Sequence, residues 1–506
     1  MLRFLPGASL RLFYFLFLFG LPVAALQGRD LTDALDSYVP SLMDDQNIQA
    51  VQIHIFRPGR EYTRTFGRAD VDANTPATDS TAFAVGALRA PLSAYVLLSE
   101  MKSEGLAFEK DVALPTGVAS ADQLLLMTSG LTSTHAGLLP PGSNDASEVR
   151  ETIFRDSMNI VPGTSPGQQY IYAPQGYEWL ARSLLGQEQR LPGLVNQLIF
   201  QPAGMNHSFF FDDREGHDLA RGYEPRGKTP APIPYPAVAL GAYLDLMTTA
   251  SDYGSFLKKI IREARTPGSV ADFMLHHRYQ TAVPGGRTPG FYYHKLCGPD
   301  GPGFYRILSQ FPGFASGILF TEDGRGAVVL LNARQQITLQ QIMDRIMPDL
   351  YPECRAFLEK AQPGYFPESV DPNTIAALEG YYRPKQLLTG SGSKFAFLAD
   401  TRLALEDGRI RFSGFFETEP SIHFIPIGPD LFIARGRASM DGWMVRVVRD
   451  DSGNVLGLQT DLAYYRKIGV LESIGGIVGI SVVALVLLAV AVLWYFIRRR
   501  GAADAR

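Results

Sequence analysis

Cysteine is almost missing from this chain: 506 residues carry two, Cys297 and Cys354. That allows at most one internal disulfide, formed if the body lies outside the cytoplasm; two unrelated small buried thiols is the other reading. Charge is sparse as well, at 19 % charged residues with a formal net charge of -4, so no basic nucleic-acid footprint is present. Metal-ligand spacing of the His-Glu-x-x-His kind does not occur among His135, His207, His276, His277 and His294. The adjacent His276 and His277 read as surface residues of a helix, and no metal or cofactor is expected. No long internal repeat or low-complexity tract interrupts the chain, which is ample for one large core plus a second small domain.

Both ends are apolar. Met1 to Leu26 combines Arg3 and Arg11 with a Phe- and Leu-rich run and the small residues Ala24 and Ala25. It reads as a signal peptide over 1–26 cleaved near Ala25, or as an uncleaved N-terminal anchor. Ile474 to Ile497 is an uncharged apolar run, about 36 Å long as a helix and therefore able to cross a bilayer. Trp494, Tyr495 and Phe496 sit at its end as an interfacial belt, ahead of Arg498, Arg499 and Arg500. The positive-inside rule places 498–506 in the cytoplasm and the body outside, a single-pass inner-membrane arrangement. Gly475 and Gly479 form a G-x-x-x-G pair on which a second helix could pack, although glycine is common in such segments.

The body is organised around Phe83 to Val112, FAVGALRAPLSAYVLLSEMKSEGLAFEKDV. A buried strand or turn over Phe83 to Gly86 feeds a helix predicted to begin near Ala87, with apolar residues at helical period and a stop at Glu104-Gly105. Free backbone N–H groups at such a helix start stabilise negative charge, which suits a nucleophile. Before it, Leu31 to Met43 reads as an amphipathic helix, and Val51 to Phe56 and Tyr62 to Gly67 read as a hairpin turning at Pro58-Gly59. After it come QLLLMTSGL (Gln123 to Leu131), PGQQYIYAPQGYEWLARSLLG (Pro166 to Gly186), QPAGMNHSF (Gln201 to Phe209) and LMTTASDYGSFL (Leu246 to Leu257). Three strands are predicted over Arg306 to Ala333, with Pro312-Gly313-Phe314 inside them.

Taken in order, these segments resemble the serine β-lactamase and penicillin-binding-protein-like hydrolases, in the class C and esterase-like branch. The family's F-x-I-G-S-x-x-K start, its E-x-G-x-L helix end, its L-L-x-H-T-S-G-L, its P-G-x-x-F-x-Y-S-N-x-G-Y and its P-G-F fall on these stretches over roughly residues 35 to 355. The resemblance implies an α+β fold, a β-lactamase-like antiparallel sheet flanked by helices. It places the family's serine on Ala87, its lysine on Ala90, its Y-x-N on Tyr172, Ala173 and Pro174, and its H-x-G or K-T-G on Ile307, Leu308 and Ser309. Met127 stands where the family often has histidine. Alanine can neither attack a carbonyl nor take a proton, proline lacks the asparagine amide, and Ile307 carries no charge. Only Tyr172 keeps its polar group; it is either a ligand contact or a core aromatic with a satisfied hydroxyl. Ser309 reads as a lone hydroxyl facing the old pocket or as an ordinary strand residue.

Domain limits follow: 27–362 for the β-lactamase-like body, 363–370 as a linker, and 371–468 as a small antiparallel, barrel-like β-domain. The last opens at Leu378 to Arg383, continues through Arg409 to Phe416, Leu431 to Arg435 and Trp443 to Arg449, and carries a hairpin signal at Asp451-Ser452-Gly453-Asn454. The pairs Ser99/Lys102, Ser255/Lys258 and Ser391/Lys394 lack the strand-to-helix setting and read as chance. The expectation is a catalytically degenerate, membrane-anchored pseudoenzyme that binds a peptide-like ligand or an envelope protein. The alternative is an active serine hydrolase or peptidase on envelope peptides or cell-wall fragments, using an unrecognised nucleophile; a structural subunit of a membrane complex is a third reading.

Overall fold

Alternation dictates the central strand. Along Ala50–Arg57 (β1), Val51, Ile53 and Ile55 pack into one apolar cluster while Ala50 and Phe56 pack into another, so the strand is covered on both faces. The computed structural model describes residues 31–473, apart from 115–116, 132–164, 169, 187–189, 227–228, 237, 281–282, 284, 299, 361–375, 385–399, 407–408, 415–421, 429, 437–443 and 461–463. The predicted signal peptide, linker and cytoplasmic tail, and the run Ile474 to Ile497, therefore fall wholly or largely outside the described residues. Among the described residues no helix is long and apolar enough to cross a membrane.

Hydrogen bonding carries β1 into a nine-stranded antiparallel sheet. On one side it pairs with Arg60–Asp70 (β2), which pairs with Thr75–Pro76 (β3). On the other it meets, in spatial order, Gly326–Leu331 (β9), Phe314–Phe320 (β8), Phe304–Phe311 (β7), Tyr292–His294 (β6), Gly286–Arg287 (β5) and Tyr279–Gln280 (β4). The β1–β2 turn falls at Pro58-Gly59, where Gly59 takes φ +76°, a conformation glycine adopts without strain. Leu31–Gln46 (α1) and Gln336–Leu350 (α6) cover one face. Arg89–Ser103 (α2), Gln175–Leu185 (α3), Ala250–Ala264 (α4) and Val270–His276 (α5) build the larger cluster on the other. The arrangement is the α+β sheet with flanking helices that the sequence implies.

Cys297 and Cys354 are joined as a disulfide, with Cα atoms 5.1 Å apart. It ties the β6–β7 connection to the turn after α6. Beyond it, eight strands from Gly380–Pro384 (β10) to Tyr464–Ile468 (β17) close into a barrel. Its Asp451-Ser452-Gly453-Asn454 turn is held by Asp450, whose Oδ1 accepts the N–H groups of Ser452 and Asn454. The barrel meets the first domain where Leu431 and Met444 pack on Val283, and where Ile425 and Ile433 pack on Phe357.

His54 is a buried titratable group on the central strand. The His54 ring is 2 % exposed; its Nδ1 lies 2.8 Å from Thr63 Oγ1, and Gly254 leaves room for it, since a Cβ there would fall 2.3 Å from the ring. Burial pushes the imidazole down to about 4, against the opposing pull of Glu61. A folded pKa below the unfolded value of 6.5 gives stability that is complete above about pH 6.5 and lost as pH falls toward 4. The loss attributable to His54 is at most about 3 kcal/mol. Thermal unfolding followed from pH 7 to pH 4 should drop less steeply for His54→Gln than for the unaltered chain, and parallel curves would refute the assignment. Replacing both cysteines by serine should cost about 4 kcal/mol in urea unfolding, because the closed loop spans 57 residues.

Candidate functional site

Four hydrogen bonds, three to its backbone and one from Ser93, hold the helix start in place. Val85 N–H donates to Leu246 O (3.2 Å) and Val85 O accepts from Ser316 Oγ (2.8 Å). Tyr253 Oη donates to Leu88 O (2.8 Å), and Ser93 Oγ donates to Ala242 O (2.6 Å). The chain turns from the short strand Phe83–Ala84 through the 3-10 turn Gly86–Leu88 into α2. Gly86 has φ +55°, and a Cβ there would stand 2.7 Å from Ser309 Oγ, so both conformation and space demand glycine.

Ala87 is half-buried and Ala90 is 1 % exposed, on the first turns of this element. The Ala87 N–H, the group that would steady an oxyanion beside a nucleophile there, donates instead to Ser309 Oγ at 2.9 Å. Ser309 comes from β7, where Ile307, Ser309 and Phe311 share the face turned toward α2. Ile307 is 2 % exposed and part of the core. Phe311 continues the seal: its ring lies 5.6 Å from Phe211, which meets Tyr235 at 5.9 Å, which stacks on Phe314 at 6.0 Å.

Pro174 is buried as the residue before α3, where its missing N–H leaves nothing unsatisfied. Tyr172 is 43 % exposed, yet its phenol oxygen is crowded by tyrosines. Tyr243 donates a hydrogen bond to it, with ring centroids 6.0 Å apart. Burial, helped by Tyr292, pushes the phenol up to about 12, while Tyr243 and Arg287 pull the other way. The hydroxyl therefore stays protonated at neutral pH.

Arg287, on the two-residue strand β5, carries no signal in the sequence. With alanine at position 90, the positive charge acting on Tyr172 comes from this guanidinium on the sheet. Arg287 is 1 % exposed, with Nη2 3.3 Å from Tyr177 Oη and its guanidinium carbon 4.4 Å from the Tyr292 ring centroid. Its Nε has no hydrogen-bond partner. Tyr292 Oη in turn lies 3.0 Å from Tyr170 Oη, and Tyr170 donates to Met127 Sδ at 3.7 Å, so the methionine in the histidine position serves the same cluster. A second buried guanidinium, Arg89, lies 4.9 Å from the Phe210 ring; burial lowers it to about 10, and burial likewise pushes the nearby Asp245 up to about 6.

The remaining candidates are held elsewhere. Ser99 donates to Tyr95 O within α2, and Lys258 pairs with Glu61. Ser391, Lys394 and His135 lie outside the described residues. His276 sits between Asp272 (2.7 Å) and Glu322 (3.1 Å). His277, 31 % exposed, stacks on Phe273 at 4.3 Å and lies 3.0 Å from Asp122 Oδ2.

Comparison with known proteins agrees with this frame. The profile of the family described as Beta-lactamase matches residues 35–347. A β-lactamase of Pseudomonas fluorescens is 26 % identical over 232 residues, 44 % of this chain and 63 % of that protein. One from Escherichia coli (strain K12) is 25 % identical over 206 residues, 38 % of this chain and 52 % of that protein. The matches thus span less than two thirds of those relatives. The solved structure of SurE aligns with a TM-score of 0.58 at 19 % identity, covering 86 % of this chain and 99 % of that one. An octameric penicillin-binding protein homologue from Pyrococcus abyssi gives 0.54 at 17 %, covering 86 % and 100 %. Both likenesses concern the fold. With its profile match running through the sheet, α2 and the Tyr172 segment, the chain belongs to the β-lactamase family.

Proposed function

We propose that the chain is a membrane-tethered, extracytoplasmic, non-catalytic member of this family, which binds a peptide-like ligand or an envelope protein at the rim of the former cleft. The observation that carries the reading is a pair of methyl groups, Ala87 and Ala90, beneath an N–H already bonded to Ser309 Oγ. Removing the nucleophile of a serine hydrolase costs about a million-fold in turnover, and its base and its free N–H are missing as well. Tyr172, exposed at the mouth with Tyr243 and Arg287 behind it, is the recognition element in this reading. The tether is Ile474–Ile497, with Gly475 and Gly479 as a face for helix association.

The alternative, hydrolysis through an unrecognised nucleophile, would turn to Ser309. Among the described residues its hydroxyl has one hydrogen-bond partner, the Ala87 N–H, and no base.

Fluorescent penicillin should fail to label the purified full chain; a covalent band that excess unlabelled β-lactam suppresses would overturn the proposal. Installing Ala87→Ser together with Ala90→Lys should leave nitrocefin turnover at background, since Ser309 and Pro174 remain. Measurable turnover by that double variant would mean the rest of the site is still competent.

A further inference from the structure

Two large apolar side chains stand in the open where the barrel ends. Val470 is 64 % and Leu471 70 % exposed, on the 3-10 turn Val470–Glu472 that follows the last strand, and no other large apolar side chain among the described residues is as exposed. A soluble surface ordinarily keeps such side chains apart and rare.

This turn is rigidly joined to the barrel. Arg383, on the first barrel strand, grips Asp400 through two N–H groups (2.7 and 2.9 Å) and donates a third bond to Glu472 O (2.8 Å). Ser473 is fully buried, and its Oγ donates to Val470 O at 2.6 Å. The acidic group of the turn, Glu472, is met by Arg466 at 3.4 Å, and Lys467 Nζ beside it donates to Ala377 O at 2.7 Å. The uncharged run Ile474 to Ile497 begins at the next residue.

We propose that this end of the barrel seats directly on the outer surface of the lipid bilayer, with Val470 and Leu471 immersed in its interfacial layer. The proposal rests on Ile474–Ile497 being the span, and adds that the barrel has no stalk. Two residues, Glu472 and Ser473, separate Leu471 from the run; extended chain would keep it within about 11 Å of the hydrocarbon edge, and the 3-10 rise of about 2 Å per residue through Glu472 brings it to about 8 Å. The headgroup layer on each side is itself roughly 5–8 Å deep. A clamped turn at that distance lies in the interface, where apolar side chains gain by leaving water. A lipid surface fits better than a protein groove because the apolar pair is small, stands just before the uncharged run in the chain, and lies on the turn whose Glu472 meets Arg466. The clamp through Arg383 then holds the barrel at a fixed height and tilt.

The full chain reconstituted in phosphatidylcholine–phosphatidylglycerol vesicles tests this, with a nitroxide on Val470→Cys or Leu471→Cys and, as reference, on Asp451→Cys in the β-hairpin. Oxygen should relax the 470 and 471 labels several-fold more effectively than a water-soluble nickel chelate, and the 451 label the reverse. Quenching of Trp494 by brominated lipid reports the span independently. Labels at 470 and 471 open to nickel while Trp494 is quenched would overturn the seating and leave the tether standing. Labels shielded from both reagents would overturn it in favour of a protein contact. An unquenched Trp494 would remove the tether and the proposal together.

Discussion

The hydrogen bond from the Ala87 N–H to Ser309 Oγ joins two parts of the chain 222 residues apart. It is where the helix start and the sheet close on each other. Gly86 must lack a side chain for Ser309 to approach, Ser309 must share a face with Ile307 and Phe311, and Tyr253 and Ser316 must hold the backbone on either side. A buried N–H left without an acceptor is costly, and a serine hydroxyl supplies one within the fold itself. In a working serine hydrolase that N–H would be kept for the substrate; its internal use is consistent with the proposed loss of catalysis.

Around this contact the site is lined with rings. Tyr170, Tyr172, Tyr177, Tyr243 and Tyr292 surround Arg287, whose charge is met by a phenol and an aromatic face. Charge burial of this kind is expensive unless the surroundings are polarisable and hydrogen-bonding, which tyrosines are. The phenols of Tyr170, Tyr172, Tyr177 and Tyr243 stay neutral because burial outweighs the guanidinium, so they offer donors and flat surfaces at neutral pH. Such a lining suits recognition better than proton transfer.

Much of this frame was legible in the sequence. The helical period after Ala87, the Pro58-Gly59 turn and the apolar runs from Arg306 to Ala333 each specify an element whose partner lies nearby or follows from the pattern. The barrel was partly legible: its hairpin at Ser452-Gly453 was plain, but strands such as Gly380–Pro384 and Ile422–Gly428 carry proline and glycine that blur the alternation. Arg287 was not legible at all. It sits on a two-residue strand between glycines and prolines, too short to show a period, and only sheet register brings it opposite Tyr292. The bond from Ala87 to Ser309 is likewise a consequence of register.

The most direct measurement is intact-mass spectrometry of the full chain after exposure to an alkyl fluorophosphonate, which phosphonylates activated serines whatever their natural substrate. With methyl groups at 87 and 90 and Ser309 lacking a base, the protein should keep its unmodified mass. A stoichiometric adduct that peptide mapping assigns to Ser309, or to any hydroxyl beside Tyr172, would show an activated nucleophile in the cleft and contradict the non-catalytic reading.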